Sequence, residues 1–253
     1  IFTGAGSGTI DYATGTTSVD FTANVGAGNA IIITYTYVEN PIETALQIFD
    51  FQDRLVILRP TYTGGTVFPR RIQISGTGAF SDYFVGQAPG AGFIDIPSDG
   101  WIQGAAFNRD DLLIFTENNV WALKYTNNDV VPFVLEKKDG SKGSRAPFSV
   151  RTYLNRTMGA GKQGLIISDG YQVQRMDKKI PDFVLDEVNN DKFGLCCCHE
   201  VDRDNDMYML YPEPAATQNT RILYMSFDED NFSIFRLPLS CMGEFLTQFA
   251  ITW

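Results

Sequence analysis

The sequence predicts an all-β fold, a partial β-propeller of antiparallel blades preceded by an N-terminal β-meander module. Three observations carry that expectation. A unit of strand, acidic turn and strand recurs along the chain. Its strands are near-continuous apolar runs, LVIL, LLIF and LIIS. The composition, with 23 Gly, 19 Phe and 11 Tyr in 253 residues, suits many short strands joined by tight turns.

Residues 1–40 have their own character: rich in Gly, Thr and Ala, without Lys or Arg. TSVDFTA alternates, with Val19 and Phe21 on one face and Ser18, Asp20 and Thr22 on the other. Ala-Thr-Gly makes a turn before it, and Gly-Ala-Gly-Asn makes another before AIIITYTY. The expected unit is a meander of about three strands. It ends at Asn40-Pro41, and residues 41–253 hold the blades.

The repeat then begins. LQIFDFQDRLVIL (46–58) reads strand, acidic turn, strand, and RRIQISG follows. IQGAAFNRDDLLIF (102–115) has the same shape and precedes NNVWALKY. RTYLNRTMGAGKQGLIIS (151–168) precedes YQVQRM, and LCCCHEVDRDNDMYML (195–210) precedes TRILYMSF and FSIFRLP. The terminal GEFLTQFAITW reads as the first strand of a further copy, so both ends are expected to be cut. A spacing of roughly 40 to 60 residues matches a propeller blade. One hairpin cannot bury both faces; twisted sheets stacked about an axis bury each face on a neighbour and hide the edges. A sheet with one wet face would alternate instead. A β-sandwich of the same strands is the competing architecture.

Composition narrows the function. Net charge is −10 and the pI about 4.6, without the basic stripe of a protein that grips nucleic acid. Such acidity serves solubility, or lets DNA slide past without sticking. No run reaches the roughly 20 apolar residues of a membrane span. The four cysteines, Cys196, Cys197, Cys198 and Cys241, do not form a secreted-type disulfide framework and supply too few converging ligands for zinc. In a strand, Cys196 and Cys198 face one way and Cys197 and His199 the other, so the single His and its neighbouring thiols point apart.

The carboxylate groups Asp110 and Asp111, Asp202, Asp204 and Asp206, and Asp228, Glu229 and Asp230 all fall at turns, where Asp caps the backbone. DRDND (202–206) resembles the start of a calcium loop, but Met207 stands where that loop needs Gly. The Gly-rich GAGSG and GAG pieces lack a phosphate cradle's context. No catalytic residue, metal or cofactor is therefore expected. One stretch stands out: KKDGSKGSRAP (137–147) concentrates Lys137, Lys138, Lys142 and Arg145 in an acidic chain. As a loop it would dock on an acidic partner or touch DNA phosphates, or simply be solvated.

The stretch GSRAPFSVRTYLNRTMGAGKQGLIISDGYQVQRM (143–176) resembles a blade of the tail nozzle, or head–tail stabilisation, proteins of short-tailed bacteriophages. The likeness lies in Gly143, Ala146-Pro147 and Ser149-Val150 leading into a strand, then an apolar strand ending in Ser168-Asp169-Gly170. DDLLIFTENNVWALKY (110–125) resembles the same family, and residues 6–37 resemble a β-module recurrent in phage virion proteins.

The resemblance implies a non-enzymatic virion tail protein. Several copies, expected as a hexameric ring, would surround the tail axis and form the DNA exit channel. Double-stranded DNA would pass without sequence-specific binding, with an adaptor protein above and fibres or a needle at the sides or tip. The alternative expectation is a receptor- or glycan-binding propeller of a tail fibre, with Trp101 or Trp121 stacking on sugars. A propeller hydrolase is the third.

Overall fold

The computed structural model describes residues 6–11, 16–21, 42–201, 206–227 and 231–242. The chain divides into two compact units, Ile1–Val38 and Glu39–Trp253. In the first, β1 (Gly6–Asp11) and β2 (Thr16–Phe21) pair antiparallel, Gly6 opposite Phe21 and Asp11 opposite Thr16. The expected third strand, from Ala30, lies outside the described residues.

The second unit opens with β3 (Ile42–Thr44), β4 (Gln47–Asp50), β5 (Leu55–Leu58), β6 (Thr61–Tyr62), β7 (Thr66–Val67), β8 (Arg71–Ile74) and β9 (Gly92–Asp95). Blade one is the sheet β4-β5-β8-β9, and the hairpin β6-β7 leaves it to pair with β3. Blade two is β10 (Ile102–Asn108), β11 (Asp111–Thr116), β12 (Val120–Tyr125) and β13 (Phe133–Asp139). Blade three is β14 (Arg151–Tyr153), β15 (Arg156–Gly161), β16 (Gly164–Ser168) and β17 (Val173–Arg175). After α1 (Phe183–Asp186) and a 3₁₀ segment (Asn190–Leu195) comes blade four: β18 (Cys197–Val201), β19 (Asp206–Tyr211), β20 (Arg221–Ser226) and β21 (Asn231–Arg236).

The first strands of the blades lie side by side. Ala105 N–H on β10 donates to Gln47 Oε1 on β4 at 2.8 Å. Thr152 Oγ1 on β14 donates to the Phe107 carbonyl on β10. Phe148 forms a parallel bridge with Cys197, and Cys198 N–H donates to the Phe148 carbonyl at 2.9 Å. Sheets joined along their first strands and splaying outward are the wedges of a partial β-propeller.

Continuous apolar runs follow from this geometry, because side chains alternate across a strand and both faces of an inner blade are covered. On β11, Leu112 and Ile114 enter the core shared with blade one, beside Val56, Leu58 and Ile72. Their neighbours Leu113 and Phe115 enter the core shared with blade three, beside Val150 and Ile166. The third core joins Met158, Ala160 and Leu165 of blade three to Met207, Met209 and Leu223 of blade four. All four side chains from Leu112 to Phe115 are fully buried, each contributing about 1.5–3 kcal/mol. A charge at Ile114 would enter a dry interface and separate two blades.

Several elements differ from the expectation. RTYLNRTMGAGKQGLIIS folds as three strands, not two, because Leu154 (φ 43°) and Asn155 (φ 58°) make a two-residue turn between β14 and β15. GFID forms the fourth strand of blade one, and FVLEKKD that of blade two, although neither shows a clean apolar period. Lys137 and Lys138 therefore lie on a strand rather than in a loop, which begins only at Gly140. The proposed fifth copy, residues 243–253, is outside the described residues. Among those described, no helix is long and apolar enough to cross a membrane.

Candidate functional site

The segment running from the end of β13 into β14 contains both the basic stretch and the motif GSRAPFSV. Its two halves do different physical work.

In the first half every cation has an intramolecular partner, and the partners differ. Lys137 and Lys138 are consecutive on β13 and so point to opposite faces. Lys137 is paired across the ladder with Trp121 and places Nζ 5.7 Å from that ring's centroid. Lys138 Nζ lies 2.9 Å from Glu136 Oε1 and 5.8 Å from the Tyr171 ring, with its side chain only 5% exposed. Glu136 also pairs with Lys124, and the hydrogen bonds from Lys124 and Lys138 hold its carboxyl below the usual range. Lys142 Nζ lies 2.9 Å from Asp139 Oδ2, while Asp139 Oδ1 accepts the N–H groups of Ser141 and Lys142. Burial of Asp139 opposes its ionisation, but Lys142 and Ser141 outweigh that and lower its pKa. Arg145 stacks its guanidinium 5.6 Å from the Phe193 ring, on the connection to blade four.

In the second half small residues form a strap across blades two and three. Ser144 N–H donates to the Thr116 carbonyl, and Arg145 N–H to the Ala160 carbonyl. Ser144 Oγ donates to Ala160 O at 3.0 Å, and Ser149 Oγ accepts Ala160 N–H at 2.9 Å. Ser144, Ala146, Ser149 and Val150 are all buried. Gly143 and Gly161 are required by close approach: a Cβ on Gly143 would overlap the Thr116 carbonyl, and one on Gly161 would overlap the Gly143 carbonyl. Sequence reading recognised the motif but not its contacts. The run of small residues Gly-Ser-x-Ala was the available signal that two backbones pass closely.

The other candidates are placed as follows. Asp110 follows Arg109 (φ 56°) in the β10–β11 turn, and Asp111, the first residue of β11, lies 3.8 Å from Lys124. They line a notch of about 130 Å³ with Asn108, Asp169 and Tyr171. Asp169 caps its turn, accepting N–H groups from Tyr171 and Gln172 at 2.8 and 2.7 Å. Asp202, Asp204, Asp228, Glu229 and Asp230 are outside the described residues. Cys196 and Cys198 are buried in the core between blades three and four; burial pushes the Cys196 thiol up to about 12 and Cys198 well above its ordinary value. Among the described residues, no group of three or more His, Cys, Asp or Glu converges as a metal site would. Trp121 is 7% exposed and belongs to the core of blades one and two, whereas Trp101 is 52% exposed.

No family model matches this sequence, and no curated protein sequence matches it. Among solved structures, the crystal structure of Kluyvelomyces marxianus Hsv2 aligns with a TM-score of 0.37 and 7% identity. The alignment covers 78% of this chain and 66% of that one, just under two thirds of its length. The fold rests on this chain's own strand pairing and inter-blade cores: it is all-β, a partial propeller with four antiparallel blades among the described residues.

Proposed function

We propose that this chain is a rigid, non-catalytic scaffold subunit of a phage tail, of the nozzle or head–tail connector kind, surrounding the path of exiting DNA. The observation that carries this reading is the burial of blades two and three on both faces, with the Gly143–Val150 strap sewing them together. Such a body resists shear, as a channel wall must. The likeness of residues 143–176 to nozzle blades supports it, and so does the net charge of −10, which would repel passing phosphates. Of the four cations in the 137–147 stretch, Lys137 is the exposed one, so it is the group that an acidic partner or a phosphate would reach.

Electron microscopy of tail particles with an antibody fragment bound to this chain tests the reading. Density repeated around the tail axis, in a ring with six copies, is the expected result. A chain absent from tail particles, and monomeric when mixed with tail adaptor protein, would defeat it.

A second reading, glycan binding by a tail-fibre propeller, is favoured by one observation, the exposure of Trp101. An aromatic face open to solvent can stack on a sugar ring. Glycan-array binding that disappears in Trp101→Ala would establish it, and an array without signal would end it.

A further inference from the structure

Blade four turns one face to blade three and the other away from it. On the turned-away face the ladder sets Tyr208 opposite Tyr224 and Leu210 opposite Ile222, which is opposite Phe235. Asp206, Tyr208, Ile222, Tyr224, Phe235, Arg236 and Leu237 line a hollow of about 610 Å³ there. The ring centroids of Tyr208 and Tyr224 are 5.3 Å apart, and those of Tyr224 and Phe235 are 6.2 Å apart. At one end sits Asp206, only 7% exposed. The Tyr224 side chain lies beside its carboxylate, yet Oδ1 has no hydrogen-bond partner among the described residues. A buried carboxylate oxygen without a donor is costly, and it calls for a cation or a strong N–H donor.

The same chain shows which cation such a setting takes. On blade one, Arg71 makes a two-pronged pair with Asp95, Nε to Oδ1 at 2.9 Å and Nη2 to Oδ2 at 3.0 Å. Its guanidinium carbon lies 4.1 Å from the Phe68 ring centroid and 3.7 Å from that of Phe93. Carboxylate and aromatic faces together hold a planar cation, each contact strengthening as water is excluded. The hollow on blade four has the same ingredients: a carboxylate, two tyrosines and a phenylalanine.

We propose that this hollow is a socket for an arginine side chain carried on an extended segment of a partner protein. The ladder sets the direction. Asp206 begins β19, and Leu210, four residues on and on the same face, aligns with Ile222 and through it with Phe235. Asp206 and Leu210 are thus roughly 13 Å apart along the strand, the reach of about four extended residues. The partner's cation enters at Asp206, and the segment runs from there along the apolar part of the face. Ile222, Phe235 and Leu237 receive its apolar side chains.

The test uses the full chain and two probes, ethylguanidinium and the peptide Arg-Thr-Val-Thr-Val, at matched ionic strength. Ring resonances of Tyr208 and Tyr224 are followed by NMR. Saturable shifts with both probes are expected, with the peptide binding at least about tenfold more tightly than the headgroup. Asp206→Asn should weaken the peptide at least about tenfold, while Asp99→Asn, an exposed control, should not. Phe235→Ser changes a half-exposed side chain and leaves the fold intact, so it tests the socket even if Asp206→Asn misfolds; it should weaken binding about threefold or more. Shifts that never saturate, or that persist unchanged in Asp206→Asn and Phe235→Ser, overturn the socket. Headgroup and peptide binding equally well overturns the protein-segment assignment.

Discussion

The α-carbon of Gly143 lies so close to the Thr116 carbonyl that no side chain fits between them. Ser144, the next residue, donates its N–H to that same carbonyl at 2.9 Å. One backbone oxygen of blade two thus anchors the strap that leads to blade three. Gly143→Ala must move backbone rather than a flexible side-chain tip, and a loss of about 3 kcal/mol is expected. Urea denaturation would show it as a lower midpoint with an unchanged slope. A variant as stable as the parent would mean that the strap is loose.

The Tyr211 hydroxyl is buried between blades three and four and has no hydrogen-bond partner among the described residues. Burial, with Glu187 adding to it, pushes its pKa up to about 12. Removing a polar group that makes no bond should cost nothing, so Tyr211→Phe is expected to match the parent or exceed it by about 1 kcal/mol. The ring's edge contact with Phe183, 5.0 Å between centroids, is kept. A clear loss of stability in thermal unfolding would reveal a hydroxyl partner.

Asp169 is held below the usual carboxylate range by the N–H groups of Gln172 and Tyr171. Its folded pKa is depressed, so its contribution is full above the unfolded value of about 3.9 and fades as pH falls through the folded value. The side chain is exposed, and screening reduces the contribution to about 0.5 kcal/mol. Asp169→Asn keeps the oxygen that caps the turn and removes the titration. Unfolding free energies measured from pH 7 down to about 2.5 should therefore fall more steeply below pH 4 in the parent than in the variant. Parallel curves would contradict the assignment.

The thiols should separate by burial. Cys241 is exposed, while Cys196 and Cys198 are buried with raised pKa values. In native protein at neutral pH, iodoacetamide should label Cys241 first and leave Cys196 and Cys198 unmodified until the chain unfolds. Peptide mass spectrometry reads the order. Fast native labelling of Cys198 would mean that the interface between blades three and four opens.

Much of the architecture was legible before any coordinates. Runs such as LLIF and LIIS announce strands buried on both faces, because only a sheet covered on each side tolerates apolar residues at consecutive positions. Turn residues such as Ser168-Asp169-Gly170 end those strands for local reasons, and the sequence states them openly. The outer strands β9 and β13 carried no such signal. An edge strand is held by one neighbour's ladder, and FVLEKKD needs no apolar period to pair there.

By itself the sequence determined that the chain is a succession of β-units with an acidic surface and a glycine-serine strap, since periodicity, charge and turn chemistry are local properties. Only the tertiary structure decided what the polar groups do. Lys137 and Lys138 look like one basic patch in the sequence, but a pleated strand sends them to opposite faces. Asp206 reads as one of five residues in an acidic turn, but the ladder carries it under Tyr224 beside three aromatic rings. Which groups meet depends on strand register and blade packing, and these join residues far apart in the chain.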